Sequence, residues 1–309
     1  MLGTIFGLML LLLVLTVPIG VVLLCVSLFP VLIDHNFIAS VPFVLRNMIG
    51  GLNSTPLIAI PLFILGGILM AKGGIAQKLF NVFAYIIGEK TGGMPCASIV
   101  TCLFYGAISG SAPATTAAVG TMTIPVLDEM GYDHSFSAAT VAVAGGLGVI
   151  IPPSIPFIVY SMASGVSVGD MFLAGIIPGC LIAVCLMVYA IYYCRTKGEN
   201  KEKIHVTVNA LKNKGFMCVL KESFWAILSP VFILGGIYSG VVTPTEAALI
   251  GVIYSALVGM FIYKTLSLKD LIPACIETVK TTAPMLIVLA AAASFSRILS
   301  LLQASTVVE

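Results

Sequence analysis

From Thr91 to Leu127 the sequence has no Asp, Glu, Lys or Arg. Charge is scarce elsewhere too: 9% of residues are charged, against about 25% in soluble domains. With 59% hydrophobic residues and a mean hydropathy of +1.13, the chain belongs with membrane proteins. A net charge of +2 and the lack of any basic patch interleaved with aromatics exclude a nucleic-acid partner. No C-x-x-C pair occurs among the eight cysteines, most of which lie inside apolar runs where Cys acts as a small hydrophobe. Neither a disulfide nor a metal centre is expected. His35, His134 and His205 are far apart and fall in loops or at segment ends. The apolar N-terminus lacks a basic n-region and a small-residue cleavage site, so 4–30 is read as a retained first helix rather than a signal peptide.

Apolar segments of spanning length, about 17–25 residues each, lie at 4–30, 55–71, 135–160, 171–194, 223–240, 245–263 and 281–303. A shorter segment, 75–89, is amphipathic. Ile75, Leu79, Val82, Phe83 and Ile86 form its apolar stripe and Lys78 and Asn81 lie off it, which suits a helix along the membrane interface. Residues 195–221 collect Arg195, Lys197, Lys201, Lys203, Lys212, Lys214 and Lys221 against Glu199 and Glu202, which marks a cytoplasmic loop. Counting crossings from that loop leaves only Arg46 and Arg297 among the basic residues facing outward and puts the N-terminus in the cytoplasm.

A repeat fits the same frame. Helix 4–30, the stretch 38–50 and Asn53-Ser54-Thr55-Pro56 are echoed in order by 245–263, 266–277 and Thr281-Thr282-Ala283-Pro284. The two runs have opposite expected orientation, the mark of an inverted-repeat transporter. The expected organisation is a first repeat over 1–194, a basic cytoplasmic loop over 195–222, and a connecting helix with an incomplete second repeat over 223–309.

Three motifs interrupt the apolar runs. The uncharged stretch carries Ser109-Gly110-Ser111-Ala112-Pro113-Ala114-Thr115-Thr116 at its middle. This predicts a re-entrant helical hairpin over about 91–130 with a polar tip, because irregular backbone at membrane depth survives only where protein or water covers it. Hydroxyl and carbonyl oxygens at such a tip suit a hard cation such as Na⁺, and the start of the second half-helix aims a positive dipole end at an anion. The competing reading is that small residues at this tip merely let helices pack closely, and binding is the favoured one. The second motif, Gly145-Gly146-Leu147-Gly148-Val149-Ile150-Ile151-Pro152-Pro153-Ser154, breaks the helix 135–160 at its middle, because two prolines remove two backbone donors. The third, Gly240 to Ala248, reads as an outward turn in which Thr243 caps a helix, Pro244 opens it and Glu246 meets its positive end. Arg297 near the outer end of its helix is placed to snorkel to the interface.

The combination of Ser109-Gly110-Ser111 with Ala114-Thr115-Thr116-Ala117-Ala118-Val119-Gly120, Gly148-Val149-Ile150-Ile151-Pro152-Pro153-Ser154-Ile155 and Thr243-Pro244-Thr245-Glu246-Ala247-Ala248 resembles the large membrane (DctM-type, M) subunit of tripartite ATP-independent periplasmic (TRAP) transporters along essentially the whole chain. The resemblance implies an all-α polytopic protein of the bacterial inner membrane working as an elevator-type secondary transporter, with Na⁺-coupled uptake of an organic acid such as sialic acid, a C4-dicarboxylate or a sugar acid. It implies a small membrane subunit (Q), expected not to be fused in front of this chain, and a periplasmic substrate-binding protein (P). No cofactor is implied beyond Na⁺ as coupling ion. Carried over by motif, a Na⁺ site would use oxygens of Ser109, Ser111, Gly146, Val149 and Pro152, with Thr115, Thr116 and Ser154 nearest the substrate. In that family a second hairpin and a second broken helix follow the point at which this chain stops, at Ser305 to Glu309. The chain is therefore expected to hold one complete half of the site and not to transport alone.

Two other readings compete. A channel or other pore would need a continuous polar path and would pass uncoupled Na⁺ current. An intramembrane hydrolase built on Ser109 needs a base within hydrogen-bond reach, and His134 lies beyond the hairpin with no other His or Lys in the apolar core.

Overall fold

The computed structural model describes residues 2–33 and 37–304, so the readings made on His35 and on 305–309 lie outside it. Among the described residues it is all helical: α1 (Leu2–Val14), α2 (Ile19–Ile33), α3 (Val41–Leu52), α4 (Thr55–Lys72), α5 (Ile75–Ile87), α6 (Gly93–Ser109), α7 (Ala112–Glu129), α8 (His134–Gly145), α9 (Ile155–Ser164), α10 (Val168–Lys197), α11 (Lys201–Lys212), α12 (Phe216–Tyr238), α13 (Pro244–Leu257) and α14 (Leu268–Leu301). A 3₁₀ turn at Gly146–Val149 follows α8, and a π-helical turn at Val258–Ile262 extends α13. Five helices among the described residues are long and apolar enough to cross a membrane: α4, α10, α12, α14, and α13 taken with its π turn.

The chain divides into two compact units, residues 1–57 with 279–309, and residues 58–278. In the first unit the single helix expected over 4–30 is two. Pro18 has no backbone N–H and disfavours helix at Val17, and Thr16 takes a left-handed φ of 58°, so the chain turns over Leu15–Pro18. The helices α1 and α2 then pack through Ile5, Val22 and Val26, all fully buried. Each is about 20 Å long at 1.5 Å per residue, short of a hydrocarbon core of about 30 Å. The crossing count that put the N-terminus in the cytoplasm loses that step. Val44 of α3 and Ile298 of α14 form a further cluster with Ala39, tied by the Ser294 hydroxyl donating to the Val44 carbonyl at 2.9 Å. Arg297 is exposed. The stretches expected as a separate arm (266–277) and spanning helix (281–303) are one uninterrupted helix, α14, whereas Asn53 and Ser54 break α3 from α4.

The second unit is built around α6, nearly all of whose residues are buried. Helix α5 packs on it through Ile75, Ala76, Leu79, Phe80, Val82 and Ala84. Of the expected stripe Ile75, Leu79 and Val82 are buried, but Phe83 is half-buried and Ile86 is exposed, because residues of α6, α7 and α11 cover Phe80 and Ala84 instead. The basic segment 195–221 is not a plain loop. It contains α11, whose Ile204 and Val208 pack with Leu211 against Phe80, Ala84, Met94 and Leu127. At the start of α13 the capping reading holds in full: the Thr243 N–H donates to Glu246 Oε2 at 2.7 Å, and the Glu246 N–H donates to Thr243 Oγ1 at 3.3 Å.

Candidate functional site

The hairpin and the broken helix stand where their motifs place them. Helix α6 runs to Ser109, Gly110 turns the chain at φ +62°, and α7 starts at Ala112 with Ser111 as its cap, the Ser111 hydroxyl accepting from the Ala114 N–H at 3.5 Å. A left-handed residue at a helix C-cap strains any residue with a Cβ, and a Cβ here would also lie 2.8 Å from the Pro153 carbonyl oxygen. Helix α8 ends in the 3₁₀ turn at Gly146–Val149, the chain continues without helix through a cis Pro152-Pro153 bond, and Ser154 caps α9 by accepting from the Phe157 N–H at 3.4 Å. Both half-helices thus begin Ser-x-Pro, as Ser111-Ala112-Pro113 and Ser154-Ile155-Pro156. Proline in the first turn sacrifices no intrahelical bond, since those N–H groups have no partner within the helix.

The two interruptions meet. The Ile155 N–H donates to the Gly110 carbonyl at 3.3 Å, which joins the hairpin tip to the start of α9. At the tip three residues close a small ring. Ser109 Oγ and Thr115 Oγ1 are 2.8 Å apart, the Thr115 hydroxyl donates to the Ser111 carbonyl at 2.9 Å, and the Ser111 N–H reaches Ser109 Oγ at 3.4 Å. Ser109 and Thr115 are fully buried. Gly148 of the 3₁₀ turn lies directly on this ring: a Cβ there would be 2.4 Å from Thr115 Oγ1 and 2.9 Å from the Ser111 carbonyl oxygen. Beside it the Ser154 hydroxyl donates to the Val149 carbonyl at 2.5 Å.

The structure therefore brings together Ser109, Ser111 and Thr115, and separately Val149 and Ser154. Thr116 packs against Gly145, where an added Cβ would fall 1.8 Å from its hydroxyl oxygen. Gly146 has open space where a side chain would project, and Pro152 is buried; both supply carbonyls only. Three residues that the motifs do not mark complete the packing. The Tyr105 hydroxyl, in a fully buried side chain, donates to the Gly67 carbonyl at 2.6 Å. A Cβ on Gly67 would lie 3.0 Å from Ser109 Cβ, and one on Gly106 would lie 2.7 Å from Gly148 Cα. Tyr105 and Gly106 follow the helical period back from Ser109, but Gly67 is legible only as a helix-packing glycine. From the other side α10 offers Gly175 and Gly179 to Phe157 and Ile151.

Chemically the site is a set of neutral oxygens, buried at Ser109 and Thr115 and partly exposed at Ser111 and Thr116, beside the N-termini of α7 and α9. Hydroxyls and carbonyls are hard, acceptor-rich ligands. Ser109 Oγ bonds to Thr115 and to the backbone of Ser111, with no His or Lys among its partners.

The far end of the hairpin is polar and charged. Glu199 Oε1 accepts from the Gly92 N–H at 2.9 Å, before α6, and from the Tyr132 hydroxyl at 2.6 Å, after α7. Burial, reinforced by that carboxylate, pushes the Tyr132 phenol well above its usual range. Glu89 pairs with Lys212 and, at 3.6 Å, with His205, both on α11; the hydrogen bond from Lys212 holds its carboxyl below the usual value.

Residues 6–309 match the family model described as "Tripartite ATP-independent periplasmic transporter, DctM component". The chain is 38% identical to the isethionate TRAP transporter permease protein DctMQ of Oleidesulfovibrio alaskensis over 99% of its own length and 47% of the relative's. It is 38% identical to the C4-dicarboxylate TRAP transporter large permease protein DctM of Pseudomonas aeruginosa, over 79% and 56%. With the sialic acid TRAP transporter large permease protein SiaM of Vibrio cholerae the identity is 35%, over 92% and 64%. The chain thus spans between about half and two thirds of the length of these curated relatives. The relatives are permeases, which overturns the hydrolase alternative. A buried hairpin tip seated on a broken helix, a set of membrane-spanning helices and a match over almost every residue agree: the chain belongs to the DctM family of TRAP transporter large permease components.

Proposed function

We propose that the chain contributes to Na⁺-coupled uptake of an organic anion as part of an inner-membrane permease. A periplasmic binding protein delivers the anion and a small membrane subunit assembles with the permease. The observation that carries this reading is the ring of Ser109, Ser111 and Thr115 under Gly148, in which Ser109 and Thr115 are fully buried. Its oxygens are neutral, so a bound cation brings a charge into the site that the site lacks, and its field favours an anion beside it. In this reading Ser109, Ser111 and the carbonyls of Gly146, Val149 and Pro152 hold Na⁺. Thr115 bonds both Ser109 and Ser111 and so belongs with the cation rather than with the substrate. Thr116 and the N-terminal ends of α7 and α9 face the anion's carboxylate or sulfonate. Ser154 acts by holding the broken helix in shape through Val149 and Phe157.

The relatives carry isethionate, C4-dicarboxylates and sialic acid by name. Their shared chemistry is a small anion bearing polar groups, and the ligand class proposed here is that and no narrower. The chain over 1–194 is assigned as a first inverted repeat, with 195–222 as its cytoplasmic connection and 223–309 beginning the second.

The test is uptake of a panel of radiolabelled organic acids into proteoliposomes holding the complete permease, its small subunit and its binding protein. Uptake that needs an inward Na⁺ gradient and falls at least tenfold in Ser109→Ala/Ser111→Ala supports the site. Uptake indifferent to Na⁺ and to both substitutions rejects it.

A further inference from the structure

The ends of three helices converge at a cavity that none of the hairpin-tip residues lines. It has a volume of about 480 Å³ and lies among the α4–α5 turn, the first turns of α12 and the end of the π turn after α13. Lys78, Lys221, Glu222, Trp225, Tyr263 and Thr265 are the lining residues that matter. Lys78 Nζ is 2.7 Å from Glu222 Oε2 and 5.8 Å from the centre of the Tyr263 ring. The walls are fixed from outside: the Ser223 hydroxyl donates to the Lys78 carbonyl at 2.8 Å, the Ala226 N–H donates to the Tyr263 hydroxyl oxygen at 3.2 Å, and the Thr265 hydroxyl donates to the Gly73 carbonyl at 2.9 Å.

Glu222 neutralises one lysine, and the cavity keeps the charge of the other. Lys221 makes no ion pair among the described residues. Apolar surface adjoins the lysines: Trp225, one helical turn beyond Lys221 on α12, and Ile262 line the same cavity and are 37% and 40% accessible. The lysine therefore suits a phosphate and the apolar surface suits hydrocarbon. Trp225 and Tyr263, both lining the cavity, are residue types enriched at the membrane–water interface. On the topology expected from the basic segment 195–221, all three segments lie at the cytoplasmic face, where anionic lipid is concentrated.

We propose that this cavity is a binding site for the phosphate of an anionic glycerophospholipid of the cytoplasmic leaflet. Lys221 is the principal cation, Thr265 and Gln77 are the polar walls, and the acyl chains lie along Trp225 and Ile262. A soluble phosphate would use the same cations but gain nothing from the aromatic flank. The assignment does not depend on which anion is transported or on the cation site.

Native mass spectrometry of the full chain, equilibrated in detergent with phosphatidylglycerol or phosphatidylcholine, reads the site directly. The expected result is selective retention of phosphatidylglycerol, reduced about fivefold or more by Lys221→Glu, with an unchanged melting temperature in lipid-free detergent. Lys197→Glu, at an exposed position outside the cavity, is expected to leave retention intact. Replacing Lys78 would strand Glu222, so Lys221 carries the test. Equal retention of the two lipids, undiminished retention in Lys221→Glu, or displacement of the lipid by inorganic phosphate or glycerol 3-phosphate at matched concentration would each overturn the proposal.

Discussion

The tip and the base of one hairpin are held by opposite means. At the tip, α6 and α7 meet through Gly110, a ring of neutral hydroxyls and carbonyls, and glycines that let backbones touch. At the base the same two helices are held by the Glu199 carboxylate, by the ion pairs of Glu89, and by the apolar side of α11. A formal charge buried at the tip would be expensive unless paired, and a permanent counter-charge would compete with any cation arriving there. At the base, solvated charge is cheap and the pairs serve to position. One end of the element is left chemically open and the other is latched.

Substitutions at the two ends test that contrast through different readouts. The largest effect is expected from Gly148→Ala. Its Cβ meets Thr115 Oγ1 and the Ser111 carbonyl, so overpacking costs about 1–3 kcal/mol, and any Na⁺-dependent rise in melting temperature disappears. Glu199→Ala comes next: it leaves the Gly92 N–H and the Tyr132 hydroxyl without a partner, which costs about 1–3 kcal/mol. Its Na⁺-dependent thermal shift, measured by scanning fluorimetry, should stay at the wild-type value. Loss of that shift in Glu199→Ala would break the division between the ends. Tyr132→Phe sharpens it, with a loss of about 0.5–1.5 kcal/mol and the same intact Na⁺ response.

The smallest effect concerns pH. The Glu89 carboxyl titrates below its ordinary value of 4.5 when folded, chiefly because Lys212 donates to it. A carboxyl depressed by folding stabilises the fold above its unfolded pKa, and that contribution fades as pH falls through the folded pKa. Between pH 5 and pH 3 the wild type should lose slightly more thermal stability than Glu89→Gln, and added salt should shrink the difference. Identical acid profiles would remove Glu89 from the latch.

The tip was readable in advance because Gly, Pro and Ser punctuate an otherwise apolar run, and nothing but a turn or a break accommodates them. Gly110 and Pro152-Pro153 announce themselves in this way. The base was not readable. Ile204, Val208 and Leu211 of α11 do follow helical spacing, but they sit in a segment whose lysines mark it only as cytoplasmic. On α5 the expected stripe holds at Ile75, Leu79 and Val82 and fails at Ile86: periodicity offers several stripes, and the covering residues of α6, α7 and α11 select Phe80 and Ala84 over Ile86. The break of the first helix was signalled by Pro18 and outweighed by the length of the apolar run around it. The contact of Gly67 with Ser109 depends on packing between distant segments, which no local pattern encodes.

The glycines of the broken helix have a consequence for genetics. Around the hairpin tip, a saturation scan would meet sharper intolerance at Gly145 and Gly148 of the broken helix, and at Gly106 of α6 facing them, than at the hydroxyl residues they contact. A carbonyl ligand survives any exchange of its own side chain. In such a map the hairpin tip would show up as a cast of the space that must stay empty around it.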